Sequence, residues 1–274
     1  MTTRSVISCA LLAACATGVH AQTVRSGSAA DAAGLQAIVD QFRDDLGQLN
    51  APEPGSQGTG RRQINWDAAP DAVSAPNNLP GDFFNANFAP RARGVVFSTP
   101  GSGFQLSATA ASGVGVRFGN INSAYENQFS TFSDERLFTA LDSNIVDVDF
   151  RVPGSDEQGL SRGFGAVFSD VDIWGSTFID YYDVNGDKLG SYTVETGPTE
   201  DGSLSFLGVS FDDVIVASVR IYSGNQALGG LEYGGIDLVV MDDFIFGEPV
   251  AVPAPGVLAL ASAGLLVTRR RRRG

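Results

Sequence analysis

The chain has 274 residues, of which 43% are apolar and 18% charged, with 33 glycines and a formal net charge of −13. Acidity of that size, with Lys188 as the single lysine, excludes nucleic-acid backbones and anionic lipid surfaces as natural partners, because like charges repel. Both cysteines, Cys9 and Cys15, and the one histidine, His20, fall within the first twenty residues. If those residues are removed, thiol nucleophiles, disulfides, Ser-His-Asp triads and imidazole or thiolate zinc sites are all excluded from what remains.

In chain order, Arg4 followed by the apolar stretch Val6 to Ala16 and the small-residue site Val19-His20-Ala21 predicts a secretory signal peptide over residues 1–21. A second reading takes Leu12-Ala13-Ala14-Cys15 as a lipoprotein box with Cys15 as the lipidated residue. Within residues 22–50, Leu35, Ile38, Val39, Phe42, Leu46 and Leu49 recur at helical spacing, so one amphipathic helix is expected, with Ser28 or Asp31 as N-cap. Residues 51–60, with Pro52, Pro54, Gly55, Gly58 and Gly60, read as a linker.

The main domain is expected over residues 61–250 and to be all-β. Ten strand-like runs alternate with turn signals: Val95 to Ser98, Phe104 to Ala108, Val114 to Phe118, Ile145 to Val152, Phe164 to Phe168, Phe178 to Tyr182, Leu189 to Val194, Ser205 to Phe211, Ile215 to Tyr222 and Leu238 to Phe246. The predicted architecture is an antiparallel two-sheet sandwich of jelly-roll type. Asn185-Gly186 marks a hairpin, with both residues expected at positive φ.

Candidate sites are few. Asp183, Asn185 and Asp187 alternate like the start of a calcium loop, but the twelfth position is Val194 rather than Glu, and the hairpin turn accounts for the same residues. Asp242 and Asp243 lie between apolar residues of the last strand. Strand alternation would point one of them inward or towards the sheet edge, where a carboxylate needs a partner. The pair resembles the late-strand Asp with which many lectin-like and carbohydrate-binding sandwich domains hold a structural calcium, which implies calcium as the candidate ligand of Asp242 and Asp243; a solvent-facing or hydrogen-bonded structural role is the other reading. Among Trp66, Trp174, Tyr181, Tyr182, Tyr222 and Tyr233, aromatic faces suited to sugar rings, Trp174 beside Gly175 is the preferred ligand-binding residue. Asp147, Asp149, Asp170, Asp172 and Asp180 are numerous enough for carboxylate catalysis, but no spacing singles out a pair. No cofactor other than calcium is expected, and the protein is read as not an enzyme.

The C-terminal residues 252–274 are tripartite: Pro253, Ala254, Pro255 and Gly256, then the apolar run Val257 to Val267, then Arg269, Arg270, Arg271, Arg272 and Arg273. The apolar run falls short of the ~20 residues a helix needs to span a bilayer. This end resembles the PEP-CTERM sorting signal of bacterial secreted proteins, with Ala254 standing where that motif has Glu. The resemblance implies an apolar C-terminal sorting helix, transient membrane attachment, an exosortase-type sorting enzyme as partner, exopolysaccharide as an associated partner, and a cell-surface or extracellular destination. An ordinary C-terminal membrane anchor is the alternative. The runs Arg62 to Asp67, Asn78 to Phe84, Arg162 to Phe168 and Val240 to Phe244 also resemble an uncharacterised group of bacterial secreted proteins. That second resemblance covers Arg61 to Glu248 and implies a secreted context but no activity. The function expected is therefore that of an exported surface or matrix protein with a structural or adhesive role. A calcium-stabilised carbohydrate-binding module is the alternative, and a polysaccharide-cleaving enzyme the third reading.

Overall fold

A computed structural model describes residues 20–199 and 201–253. Residues 1–19 of the expected 1–21 signal peptide and the tail from residue 254, with Ala254, Pro255, Gly256 and the arginine block Arg269 to Arg273, lie outside the described residues, whereas Pro253 is described and exposed. The elements run β1 (Gln22–Ala29), α1 (Ala32–Leu46), β2 (Arg61–Ile64), β3 (Val95–Ser98), β4 (Gly103–Leu106), α2 (Tyr125–Gln128), β5 (Phe138–Leu141), β6 (Ile145–Phe150), β7 (Gly159–Leu160), β8 (Gly163–Ser169), β9 (Phe178–Tyr182), β10 (Lys188–Thr193), β11 (Leu204–Phe211), β12 (Ser218–Tyr222), β13 (Val240–Gly247) and β14 (Val250–Ala251). The larger sheet has the order β1-β11-β8-β13-β5-β4, with β2 also paired to β13, and the smaller has the order β10-β9-β12-β6-β3. Their pairings are antiparallel.

The two sheets face each other across one core. On the smaller sheet Val146, Val148, Phe150, Ile179, Tyr181, Val219 and Ile221 point inward, while Asp147, Asp149, Asp180 and Arg220 alternate outward. The larger sheet supplies Phe164, Ala166, Phe168, Leu207, Val209, Met241, Phe244 and Phe246 to the same core. A hydrogen bond crosses the layers, as the buried Tyr181 hydroxyl donates to the Phe164 carbonyl at 2.9 Å. Strands β8, β11 and β13 are buried at every position, because their outer face is covered as well. With both faces covered, these strands show no polar–apolar alternation, whereas the one-sided strand β6 alternates strictly.

The cover on that outer face is α1. Asp31 is its N-cap, accepting from the Gly34 amide at 2.8 Å, and Leu35, Val39, Phe42 and Leu46 pack against Val167, Leu204, Phe206 and Ile245. Gly165 and Gly208 pair across β8 and β11, leaving a depression that receives the Phe42 ring; a Cβ on either glycine would fall 2.8 or 2.7 Å from it. Leu49, the last residue of the helical pattern, is exposed beyond the helix end at Gly47.

The structure differs from the sequence expectation at several points. Residues 22–50 are not a separate helical segment: they open with β1, an edge strand hydrogen-bonded along its whole length to β11. Its sequence, Gln-Thr-Val-Arg-Ser-Gly-Ser-Ala, carries little apolar alternation because backbone pairing holds it. Residues 51–60 are tied into the same body, with Gly55 donating to the Pro153 carbonyl at 2.8 Å and Gln57 to Glu248 at 2.9 Å. Val114 to Phe118 is a series of turns rather than a strand, and β2 and β5 were not anticipated. In the β9–β10 hairpin Gly186 alone has positive φ (82°); Asp183 supplies the rest of the turn by accepting from the Asn185 and Asp187 amides at 2.8 and 2.9 Å.

One ion pair fastens β2 to the end of β13. Arg62 and Glu248 are almost fully buried and meet in two hydrogen bonds of 2.7 and 2.8 Å. Removing one partner would strand the other charge in a dry environment. Arg62→Met should therefore lower stability in urea by about 3–5 kcal/mol, while Arg62→Met combined with Glu248→Leu should recover most of that loss.

Candidate functional site

Asp242 and Asp243 are both buried, and a bulge explains why. The register of β13 against β8 shifts between Met241 and Phe244, so that both of these residues face the core and the intervening carboxylates project together. Asp242 accepts from the Phe132 and Ser133 amides at 2.6 and 3.2 Å, and the Ser133 hydroxyl reaches both carboxylates, at 3.3 Å to Asp242 and 2.8 Å to Asp243. Arg43 of α1 completes the arrangement by pairing with Asp243 at 3.0 Å. Burial pushes both carboxyls above the usual range, and for Asp242 the neighbouring Asp243 charge adds to the effect. Accepting from Phe132, Ser133 and Arg43, the pair fastens the 130–134 segment and α1 to the bulge.

A different set of carboxylates converges at the end of the sandwich. β8 ends at Ser169, and Asp170 follows at φ 74°, a left-handed conformation that turns the chain into the loop carrying Asp172 and Trp174. The loop after β12 brings Glu232 to the same place. Oxygens of Asp170, Asp172 and Glu232 all lie within 4.8 Å of one another, and this is the carboxylate group suited to a metal among the described residues. Gln128 of α2 bridges two of them, donating to Asp170 at 2.8 Å and to Glu232 at 2.5 Å. Asp170 also accepts from the Gly202 amide at 3.2 Å, and Glu232 from the Leu238 amide at 2.8 Å. Asp237 holds the loop from beneath by accepting from the Asp172 and Ile173 amides at 3.1 and 3.3 Å.

The electrostatics of this group are adverse without a counter-charge. Asp170 is pushed up to about 9, chiefly by burial, which the Gln128 hydrogen bond opposes and repulsion from Asp172, Glu232 and Asp201 reinforces. Glu232 is pushed up to about 7, again first by burial and then by the Asp172 and Asp237 charges. Protons or a cation must balance the cluster, and a hard divalent ion that takes carboxylate and carbonyl oxygens suits it chemically. The cluster opens into a cleft of about 550 Å³ lined by Asp172, Gly197, Pro198, Thr199, Asp201 and Glu232.

Two aromatic rings stand on the same loops. Trp174, two residues after Asp172, is 68% exposed, and Leu231 and Tyr233, which flank Glu232 in the chain, are 56% and 72% exposed. Trp174, singled out from sequence, is thus a surface residue next to the cluster, as is Tyr233. The other aromatic candidates are placed differently: Trp66 and Tyr181 are core residues, Tyr222 stacks on Phe178 at 4.2 Å, and Tyr182 bonds to Asp180. Asp170 and Asp172 were visible in sequence as acids near strands, but Glu232 lies some sixty residues away in a segment with no motif. No local signal could have joined them. Asp147 pairs with Arg220 across β6 and β12, and Asp180 with Lys188, so neither belongs to the site.

No family model matches the chain, and no curated protein matches it. A solved two-domain protein of unknown function from Bacteroides fragilis is similar at 15% identity with a TM-score of 0.20, over 53% of this chain. The match spans 43% of that protein's length, and at this level of likeness it carries no argument about fold or activity.

Because Asp170 and Glu232 are raised in the folded protein, the folded state holds protons that the unfolded chain has already released above about pH 4. Their contribution to stability is fully present below that pH and is lost as pH rises through about 7 and then about 9. In EDTA the melting midpoint should therefore fall between pH 5 and pH 9, and Asp170→Asn with Glu232→Gln should flatten that fall when measured by circular dichroism.

Proposed function

We propose that the chain is an exported cell-surface or matrix protein with an adhesive role, exercised by binding polysaccharide at the Trp174–Tyr233 end of the sandwich with a divalent cation, calcium by its chemistry, at Asp170, Asp172 and Glu232. The observation that carries this reading is the pairing of exposed aromatic rings with converging carboxylates on the same two loops. Aromatic faces stack on the apolar faces of sugar rings, and a bound cation would fix the loops that present them. Leaving two large rings in water without such a use would offer nothing to the fold. Export rests on the signal-like N-terminus and the PEP-CTERM-like tail, and the tail also points to an exosortase-type enzyme as processing partner.

On this reading the sandwich is of jelly-roll type. Strands β5, β6 and β8 to β13 supply its eight strands, ordered β5-β13-β8-β11 in one sheet and β6-β12-β9-β10 in the other. Consecutive strands of that set change sheets at every step except the β9–β10 hairpin, as two interlocked Greek keys require. The loops at one end of such a roll come together from segments distant in sequence, which suits a composite binding surface.

Calcium should raise the melting midpoint saturably at matched ionic strength and reverse the destabilisation at high pH, and Asp172→Asn should remove that response. Trp174→Ala with Tyr233→Ala should abolish retardation in gels containing the producing cell's exopolysaccharide while leaving the midpoint within a few degrees of the parent, since exposed side chains contribute little to stability. No retardation of the parent protein, with or without calcium, would overturn the adhesive reading, and release of reducing ends from a glycan panel would replace it with catalysis by the same carboxylates. Deleting residues 252–274 should change where the protein accumulates without unfolding it; unchanged surface display would refute the sorting assignment.

A further inference from the structure

A second concavity, sharing no lining residue with the acidic cleft, has the opposite chemistry. It encloses about 240 Å³ between the 64–70 and 83–93 segments, with Trp66, Phe83, Phe84 and Pro90 among its walls and Arg91 and Arg93 at its polar side. None of its lining residues is an Asp or Glu. In a chain of net charge −13, two guanidiniums lining a largely apolar pocket with no acid among them are an unexpected arrangement.

Neither arginine has its charge answered. Among the described residues Arg91 and Arg93 form no ion pair. By contrast, the nearby Arg62 is matched by Glu248 through two hydrogen bonds. Arg93 donates through Nη1 to the Gln63 carbonyl, while its Nε is buried without an acceptor and the Gln63 Oε1 is buried without a donor. Burial, and then the Arg62 charge, disfavour the charged form of Arg93, which is the condition an incoming anion would relieve. Arg91 is held flat, its guanidinium 3.8 Å from the Phe83 ring centre and its Nε donating to the Phe83 carbonyl at 2.9 Å. That leaves Arg93 Nη2 and both Nη atoms of Arg91 without a hydrogen bond among the described residues.

We infer that this pocket binds a small carboxylate carried on a single ring, with Arg91 and Arg93 gripping the carboxylate and the aromatic walls covering the ring. Planar guanidinium forks match a carboxylate in geometry as well as charge. The volume falls below the ~300 Å³ lower end of drug-sized sites, which limits the ligand to about one ring. Inorganic anions would use the arginines but not the apolar walls, so the class is an organic acid: either an apolar ring acid or the ring of a uronic sugar. The inference is independent of the polysaccharide site.

The test is calorimetric titration of the purified protein with benzoate, its neutral isostere benzamide, glucuronate and inorganic phosphate. Benzoate or glucuronate should bind, the stronger of the two identifying the ring type, and benzamide and phosphate should each be weaker by roughly tenfold or more. Arg91→Gln should weaken the carboxylate by roughly tenfold and leave benzamide unchanged, while Trp174→Ala should leave both unchanged. Arg93→Gln should remove the preference for carboxylate over amide; since Arg93 also braces the Gln63 carbonyl, the comparison of benzoate with benzamide on the parent protein and the Arg91 variant decides the matter without it. Equal affinity for benzoate and benzamide, phosphate binding as strongly as either acid, or no binding by either carboxylate would overturn the inference.

Discussion

The arrangement of this protein depends on one aromatic side chain, Trp66. Its indole is almost fully buried, stacked on Phe138 at 4.4 Å and met edge-on by Phe244 at 5.0 Å and Phe84 at 5.6 Å, and its N–H donates to the Asp242 carbonyl at 2.9 Å. To reach that position the backbone of Trp66 takes φ 65°, a left-handed conformation costing of order 1–3 kcal/mol for such a residue. Burying an indole and forming aromatic contacts outweighs that strain. The ring thus joins the end of β2 to the bulge of β13, and the bulge in turn orients the Asp242 and Asp243 carboxylates that hold α1 and the 130–134 segment.

From this follows a division of labour between the faces of the larger sheet. Its inner face makes the core with the smaller sheet. Its outer face is covered partly by α1 and partly by the cluster of Phe118, Tyr125, Phe129, Leu137, Leu238 and Val240. The α2 region that contributes Tyr125 and Phe129 also contributes Gln128, whose amide reaches Asp170 and Glu232. The packing that covers the sheet therefore also positions the group that bridges the acidic cluster. Charge is distributed to match: unbalanced carboxylates gather at an open cleft, where a cation can reach them, and unanswered arginines border a small apolar pocket.

Composition and pattern carried much of the fold. The ten strand-like runs led to nine of the observed strands, because each combines apolar or β-branched residues with a turn signal at its end. The amphipathic spacing from Leu35 to Leu46 marked α1 with the face it buries. What was lost had weak local signal for identifiable reasons. Strand β1 is held by backbone pairing to β11 and needs no apolar alternation, β2 reads Arg-Arg-Gln-Ile with three polar residues in four, β5 has no Gly or Pro turn signal beside it, and the loop at residues 51–60 looks like a linker because its fixed points, Pro153 and Glu248, are far along the chain. The Asp242–Asp243 pair was recognised as special, but alternation was the wrong rule for it, since a bulge suspends alternation where it occurs.

By itself the sequence determined an acidic β protein with one amphipathic helix, a body without cysteine or histidine once the first twenty-one residues are set aside, and Trp174 as an aromatic residue in a loop. These are properties of composition and of short-range periodicity, which a linear chain displays directly. The tertiary structure alone decided which acids meet. Asp170 and Asp172 join Glu232 only because β8 and the loop after β12 end at the same edge of the sandwich, and Arg91 and Arg93 border an acid-free pocket only because Trp66 and Phe84 pack behind it. Contacts between residues distant in sequence arise from sheet order and from burial, and neither is written in the spacing of neighbouring residues.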